Sequence, residues 1–594
     1  MPIPLQQYRS LLAKYLKPQQ GRVIGLAIAL LSSIALQIIN PQILGYFIDT
    51  AVKKGAQQAL FLAAAGFTAI ALLTQVFSVV ATYLGETVAW TATNALRINL
   101  AAHCLQLDLS FHKAHTPGEL LERVDGDVNA LSRFFSQLVI HVLGNGIFLI
   151  GILVVLWFEN PLAGLSLTLF TLVALSVLLS LRSMAIVPWA EYRQISAEFY
   201  GTLGEQIAGR ADLRANGAVG YVMGRFFTLL RRWLPIYQKA RFASTVLWFS
   251  SVGLFTVGNA IALALSAYLW KQNTITIGTA YLLFHYTNLL SQPIERIREE
   301  LEQMQQVEAS IYRIQALLAV KSRLVDQGQI SLPAGALSVA FNQVWFSYEG
   351  LGNEEREVNP ISLTPSSSTL QNISFHLPAG QVLGLLGRTG SGKSTIARLL
   401  LRLYDLQSGE IRLDDVAIQR IPLAELRQRV GLVTQDVQLF QASIRDNLTF
   451  FDPRIRDSTI LETVEKLGLS QWLKLLPEGL DTQLGADSSG LSAGQAQLLA
   501  LVRVFLKNPG LVILDEASSR LDLQTEALLD NAISQLLQNR TGIIIAHRLQ
   551  TIQHADQILI VEQGKIVEYG DRQILVTQPD SRFAQMLPIE QKSD

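Results

Sequence analysis

Gly387, Arg388, Thr389, Gly390, Ser391, Gly392, Lys393, Ser394 and Thr395 follow directly on the apolar run Val382–Leu386 and lead into the helical pattern Ile396–Leu403. A strand, a glycine-rich loop and a helix in that order make a phosphate cradle. The glycines let successive backbone N–H groups curl around phosphate oxygens, Lys393 can reach the outer phosphates, and Ser394 can offer a hydroxyl to Mg²⁺. A second apolar run, Leu511–Leu514, ends in Asp515-Glu516. Alone, such a pair is ordinarily a solvated turn. Beside a phosphate loop, both carboxylates fall at the C-terminal edge of a parallel sheet, where Asp515 is expected to hold Mg²⁺ and Glu516 to polarise an attacking water.

These residues need an α/β scaffold, and the second half of the chain supplies the pattern for one. After a turn-rich linker at 326–336, short β-branched runs alternate with helical segments over 337–594, which predicts helices packed on a parallel sheet. Residues 349–369 lack any periodicity and read as a mobile surface insertion.

The first half, 1–325, obeys different rules. The 594 residues carry 48 basic and 48 acidic side chains, 16 % of the total, against about 25 % in soluble domains. The deficit is local. Six runs hold no Asp, Glu, Lys or Arg: Val23–Ile48, Ala56–Gly85, Phe135–Phe158, Asn160–Leu181, Phe242–Trp270 and Gln272–Ile294. Each exceeds the ~20 residues a helix needs to cross a bilayer, which predicts six spanning helices at about 22–50, 56–88, 135–158, 160–186, 242–270 and 272–298. Outside those runs the charged fraction returns to roughly 22 %, near the soluble norm.

Loop lengths alternate between short and long, and Lys and Arg concentrate in the N-terminal segment and the two long loops. That bias places these parts, and with them the C-terminal half, in the cytoplasm. Met1–Arg22 lacks a secretory signal and reads as an interfacial helix. Helical spacing within the long loops predicts that the spans continue into the cytoplasm and turn there. Balanced charge, with a pI near 7.1, argues against a nucleic-acid partner. The single cysteine, Cys104, excludes an intramolecular disulfide framework and a cysteine-based zinc site.

Leu491-Ser-Ala-Gly-Gln495 resembles the LSGGQ signature of ABC transporter ATPases, and it lies between the phosphate loop and Asp515-Glu516 as in that family. Tyr348 after Val344–Ser347, Gln435 after Val430–Thr434, Ser519–Asp522, and Ala546-His547-Arg548 after Gly542–Ile545 fall in the family's order. With six preceding spans, the chain resembles an exporter-type half-transporter from Met1 to about Leu587. The fold this implies is multidomain: an all-α six-helix transmembrane domain followed by an α/β P-loop NTPase of the ABC type.

The resemblance further implies that Tyr348 stacks on the adenine of ATP, that Gln435 completes the Mg²⁺ and water shell, and that His547 bonds the γ-phosphate. Ser492, Gly494 and Gln495 of one ATPase domain, with Asp522, then close over the nucleotide held by the partner's phosphate loop. One phosphate loop and one signature therefore imply a dimer. The turns near His115–Leu120 and Ile207–Leu213 are expected to dock on the ATPase domains.

Three positions depart from the family pattern. Ala493 replaces a glycine, Ala486 stands where a glutamate is usual, and Arg520 where a small residue is usual. All belong to the face implied to meet the partner's nucleotide, which favours a heterodimer with a second half-transporter over a homodimer. The expected activity is ATP-driven export or lipid flipping across the cell (inner) membrane; a low-turnover regulatory subunit is the alternative. Runs without charge favour an amphipathic or lipid-like substrate. The polar candidates for its pathway are Gln37, Asn40, Gln75, His141, Asn145, Asn259, His285 and Asn288, although amides within membranes more often join helices.

Overall fold

The computed structural model describes residues 13–137, 142–348, 369–474, 476–485, 491–515, 523–546 and 549–587. The chain divides into two compact units, one comprising Met1–Leu105 and Gly118–Val320, the other Gln106–Pro117 and Lys321–Asp594. The expected insertion at 349–369 lies, except for Thr369, outside the described residues.

The first unit is built of long helices: α1 (Gln20–Val52), α2 (Gln57–Gln106), α3 (Asn145–Glu159), α4 (Pro161–Ala208), α5 (Val219–Lys271), α6 (Ile277–Leu289) and α7 (Ser291–Ala319). Among the described residues, five helices are long and apolar enough to cross a membrane: Ala13–Val52, Gln57–Gln106, Val142–Glu159, Pro161–Leu178 and Val219–Lys271. The sixth expected span differs. It is divided at Leu290 into α6, of 13 residues, and α7. Pro293 has no N–H to return to the carbonyl of Leu289, so the ladder is interrupted there.

Local chemistry fixes the helix starts. Asn160 caps α4 by accepting from the N–H groups of Leu162 and Ala163 at 3.0 and 3.2 Å, with Pro161 at the first position, the arrangement both residue types favour. Thr276 caps α6 through Thr279 N. Helix α4 packs along α5, α3 on α4, and α6 on both α5 and α1. At Gly258 of α5 the ring of Phe170 from α4 fills the space a Cβ would need, the close approach small residues permit between membrane helices. The core gathers Ile152, Leu156, Leu167, Leu178, Leu283 and Tyr286. Phe61 and Phe158 remain 76 % and 86 % exposed, which is stable only against lipid or another apolar surface.

The charged loop after α2 winds through Pro117–Leu121, a π-helical turn Glu122–Asp127 and Val128–Gln137. Asp127 is buried, and Arg313 of α7 grips it with both ends of the guanidinium, Nε to Oδ2 at 2.9 Å and Nη2 to Oδ1. This two-point pairing, opposed by burial and helped slightly by Glu122, holds the Arg313 guanidinium above its ordinary value.

Among the described residues the second unit holds two sheets. Strands β1 (Val339–Phe346), β2 (Leu370–Leu377), β4 (Ser408–Leu413) and β5 (Val416–Ala417) form an antiparallel sheet in the order β2-β1-β4-β5. The larger sheet runs β10-β9-β3-β8-β7-β6, using β3 (Val382–Leu386), β6 (Val430–Val433), β7 (Leu511–Asp515), β8 (Thr541–Ile545), β9 (Gln557–Glu562) and β10 (Lys565–Asp571). Strands β9, β3, β8, β7 and β6 are parallel, while β10 joins β9 antiparallel. All five residues of β3 and of β8 are buried, as a parallel sheet covered on both faces requires.

The grouping of Gln106–Pro117 with this unit departs from a boundary at 325. The segment holds a short helix, Leu109–Ala114, capped by Asp108. Asp108 also accepts from the backbone N–H of Arg323 at 2.7 Å, through its second carboxylate oxygen.

Candidate nucleotide site

Strand β3 runs into the glycine-rich loop and then into α8 (Lys393–Leu400). Gly387, Gly390 and Gly392 have φ of 145°, 83° and 110°, values that L side chains rarely adopt. A Cβ at Gly387 would strike the Val561 carbonyl, and one at Gly392 the Leu370 side chain. The Lys393 ammonium donates to the carbonyls of Gly387 and Arg388 at 2.7 and 3.0 Å, so it is held inside the loop's own curl. Ser391 Oγ is buried there with no hydrogen-bond partner. A buried hydroxyl of this kind is costly unless something completes its bonding, and phosphate oxygens would do so.

Register fixes the neighbours. Leu385 of β3 pairs with Ile545 of β8, which pairs with Asp515 at the end of β7. Two ladder spacings put Asp515 about 10 Å across the sheet from the loop's start, a gap of the size that phosphates and a cation occupy. Gln435 lies two residues beyond β6, the strand next to β7, and is exposed. Ser394, Gln435 and Asp515 offer only oxygen ligands, the set a hard cation such as Mg²⁺ takes. Glu516, Asp522 and His547 lie outside the described residues, as do Ala486 and Arg520.

Tyr348 is more constrained than its sequence suggests. Its hydroxyl accepts from Arg398 Nη1 at 3.2 Å and lies 3.2 Å from Thr395 Oγ1, both on α8. Phe346 and Tyr404 meet its ring edge to face. The bond from Tyr348, opposed by burial and helped by Tyr404 and Asp515, holds Arg398 above its ordinary value. Lys113 places its ammonium 4.1 Å from the Tyr348 ring centroid. Neither Lys113 nor Arg398 stood out in the sequence, because each is an ordinary surface cation until the fold sets it against this ring. Of the stretch His115–Leu120, residues 115–117 belong to the second unit and 118–120 to the first. Ile207–Leu213 spans the end of α4 and the start of a short helix, Arg210–Ala215, within the first unit.

Ser492, Gly494 and Gln495 open helix α9 (Ala493–Lys507). Ser492 Oγ accepts from Gln495 N at 3.2 Å and Gln495 Oε1 accepts from Ser492 N at 2.9 Å, a reciprocal capping box. The Ser-x-x-Gln spacing is the local pattern of such a box. Ala493 is exposed and Gly494 buried, so the helix start faces outward, with the partial positive charge that attracts anions.

Of the polar membrane candidates, Gln37, Asn40, Gln75 and His285 line one cavity. Asn259 instead donates to Asn288 Oδ1 at 2.8 Å, joining α5 to α6; Asn145 begins α3, and His141 lies outside the described residues.

A helical membrane unit and a phosphate-loop α/β unit in one chain define a nucleotide-driven membrane protein. Residues 23–294 match the model for the ABC transporter transmembrane region, and 370–519 match that for the ABC transporter ATPase. The chain belongs to the ABC transporters, as an exporter-type half-transporter and an ATPase-coupled transporter. It is 28 % identical to an uncharacterized ABC transporter ATP-binding protein, YknV, of Bacillus subtilis, over 92 % of this chain and 88 % of the relative. It is 29 % identical to an ATP-dependent lipid A-core flippase of Haemophilus influenzae, over 91 % and 90 %. The structure of a bacterial Atm1-family ABC exporter with ATP bound superimposes with a TM-score of 0.79 at 24 % identity, covering 96 % of this chain and 97 % of that one.

Proposed function

We propose that this chain is one half of a dimeric exporter that moves an amphipathic or lipid-like molecule outward across the cell membrane, with its N-terminus and ATPase domain in the cytoplasm. The flippase relative and the charge-free spans support the substrate class. The observation that carries the catalytic part is the phosphate loop, whose positive-φ glycines, inward Lys393 and unpartnered Ser391 hydroxyl suit a triphosphate.

In this reading Tyr348 stacks on adenine, and residues 387–395 hold the phosphates. Ser394, Gln435 and Asp515 hold Mg²⁺, which when bound neutralises charge on the β- and γ-phosphates. Glu516 orients the attacking water, and His547 fixes the γ-phosphate. Ser492, Gly494 and Gln495, with Asp522, complete the partner's site by directing the N-terminus of α9 at its γ-phosphate.

The partner is a different half-transporter. Ala493, Ala486 and Arg520 alter the face this chain offers to its partner's nucleotide, whereas Lys393, Asp515, Glu516 and His547 keep the family's residues. Turnover by the purified chain in lipid nanodiscs tests this. Little turnover alone, restored on co-purification with a second half-transporter, supports the heterodimer. Robust turnover alone, abolished by Glu516→Gln, sinks it in favour of a homodimer. A co-purified pair whose turnover survives Glu516→Gln supports the regulatory-subunit alternative.

A further inference from the structure

Helices α1, α2, α3 and α6 of the first unit line an open cavity of about 360 Å³, within the range of ligand-binding pockets. None of its described lining residues is Asp, Glu, Lys or Arg. The α1 wall carries an acceptor without a donor. Asn40 Oδ1 is buried with no hydrogen-bond partner. Gln37 Nε2 donates one hydrogen to Ser33 Oγ at 3.1 Å, which leaves its amide oxygen as an acceptor beside the second N–H. Pro41, also on the wall, has no N–H to return to the Gln37 carbonyl one turn earlier. Asn40 Oδ1, the Gln37 amide oxygen and the Gln37 carbonyl thus lie within one turn of α1. Across the cavity His285 and Tyr281 of α6 are stacked, with the hydroxyl 3.4 Å from Nδ1, and Gln75 of α2 offers an exposed amide.

We propose that this cavity recognises an uncharged, hydrogen-bond-donating head group, amide or polyhydroxyl, on an amphipathic substrate. A charged head would enter without a counter-ion and bear a large desolvation cost. A head that only accepts would leave Asn40 unsatisfied. A donor-rich neutral head completes the bonding the helix lacks, and its apolar chain remains among the spans. The proposal rests on the exporter reading above and names the part of the substrate this site would hold.

The test uses the full chain in lipid nanodiscs and three probes of equal alkyl length: decanoyl-N-methylglucamide, decyltrimethylammonium and decyl sulfate. Binding is read as the probe-induced rise in melting temperature in a Glu516→Gln background, so that it does not depend on turnover. The glucamide is expected to half-saturate at least tenfold lower than either charged probe. Asn40→Leu should raise its half-saturating concentration about tenfold, the loss of one buried hydrogen bond. Asn40→Asp should reverse the order in favour of decyltrimethylammonium, while Thr68→Val, on the exposed side of α2, should leave the glucamide value unchanged. Equal half-saturation by all three heads, or indifference to both Asn40 variants, overturns the proposal. Saturable glucamide binding without ATP turnover in the unmutated chain or its co-purified pair overturns the exporter reading and leaves the cavity assignment standing. Turnover without preferential glucamide binding overturns the cavity assignment alone.

Discussion

The ammonium of Lys113 lies over the ring of Tyr348, 4.1 Å from its centroid, so a residue from the loop after α2 rests on the aromatic side chain proposed to receive adenine. A partly exposed cation–π contact contributes about 0.5–1 kcal/mol. Lys113→Met should therefore speed amide exchange across 106–117 by roughly two- to fivefold, and Lys113→Arg should not. Exchange measured by mass spectrometry reads both.

Tyr348 bears two separable functions. Tyr348→Ala should raise the KM for ATP by roughly 5- to 150-fold, the worth of one base stack. Tyr348→Phe keeps the ring but loses the bonds to Arg398 and Thr395; its KM should stay within about threefold of the parent, reflecting one hydrogen bond of modest net value. Steady-state ATPase assays at varied ATP distinguish the two.

Ser492 caps α9 and is proposed to face the partner's phosphate. Ser492→Ala should cost about 1 kcal/mol of stability through loss of the cap. Ser492→Asp restores the cap yet sets a negative charge against the phosphates, so it should recover the melting temperature and still lack turnover. Recovery of both would argue that Ser492 only caps.

Burial works to raise the Asp108 carboxyl, but the Ser110 side chain and the backbone donors of Arg323, Phe111 and Ser110 outweigh it and hold the group below its usual value. A depressed carboxylate contributes stability that is full above its unfolded pKa, about 4, and is lost as pH falls through the lower folded value. Protease nicking within 106–117 should thus change little between pH 7 and 5 and rise below about pH 4. In Asp108→Asn that acid-dependent rise should be absent.

Arg313→Leu leaves the buried Asp127 carboxylate without its guanidinium. Asp127 is buried while Arg313 is about half exposed, so removing the guanidinium costs less than the roughly 3–5 kcal/mol of a fully buried pair, whereas replacing both with apolar side chains is often neutral. Arg313→Leu should lower the melting temperature clearly, and the Asp127→Leu, Arg313→Leu double variant should regain most of it.

Features encoded over a few consecutive residues were legible from sequence. The phosphate loop needs its glycines at fixed spacing, and all six expected spans are uninterrupted by charge; the division of the sixth beside Pro293 emerged only in the fold. The Ser492 cap is equally local, but the sequence pointed to Ser492 through the family resemblance alone. Pairings across the fold were not legible. Lys113 with Tyr348, Asp127 with Arg313, and the cavity of Gln37, Asn40, Gln75 and His285 each join residues that lack any shared periodicity. Their meeting depends on how helices pack, and helix packing is decided by surfaces rather than by spacing along one chain. The division at 106–117 was hidden for the same reason, since nothing in that stretch's composition says which unit it joins.

Helix α2 is 50 residues long, about 75 Å at 1.5 Å per residue, while the hydrocarbon layer accounts for only about 30 Å. It contains no proline, and its ladder of backbone bonds makes it stiff along that whole length. Such a rod has leverage. A rotation of about 5° around its Gln57 end carries the Gln106 end through roughly 6 Å, so a tilt too slight to disturb side-chain packing at one end amounts at the other to the width of a side chain.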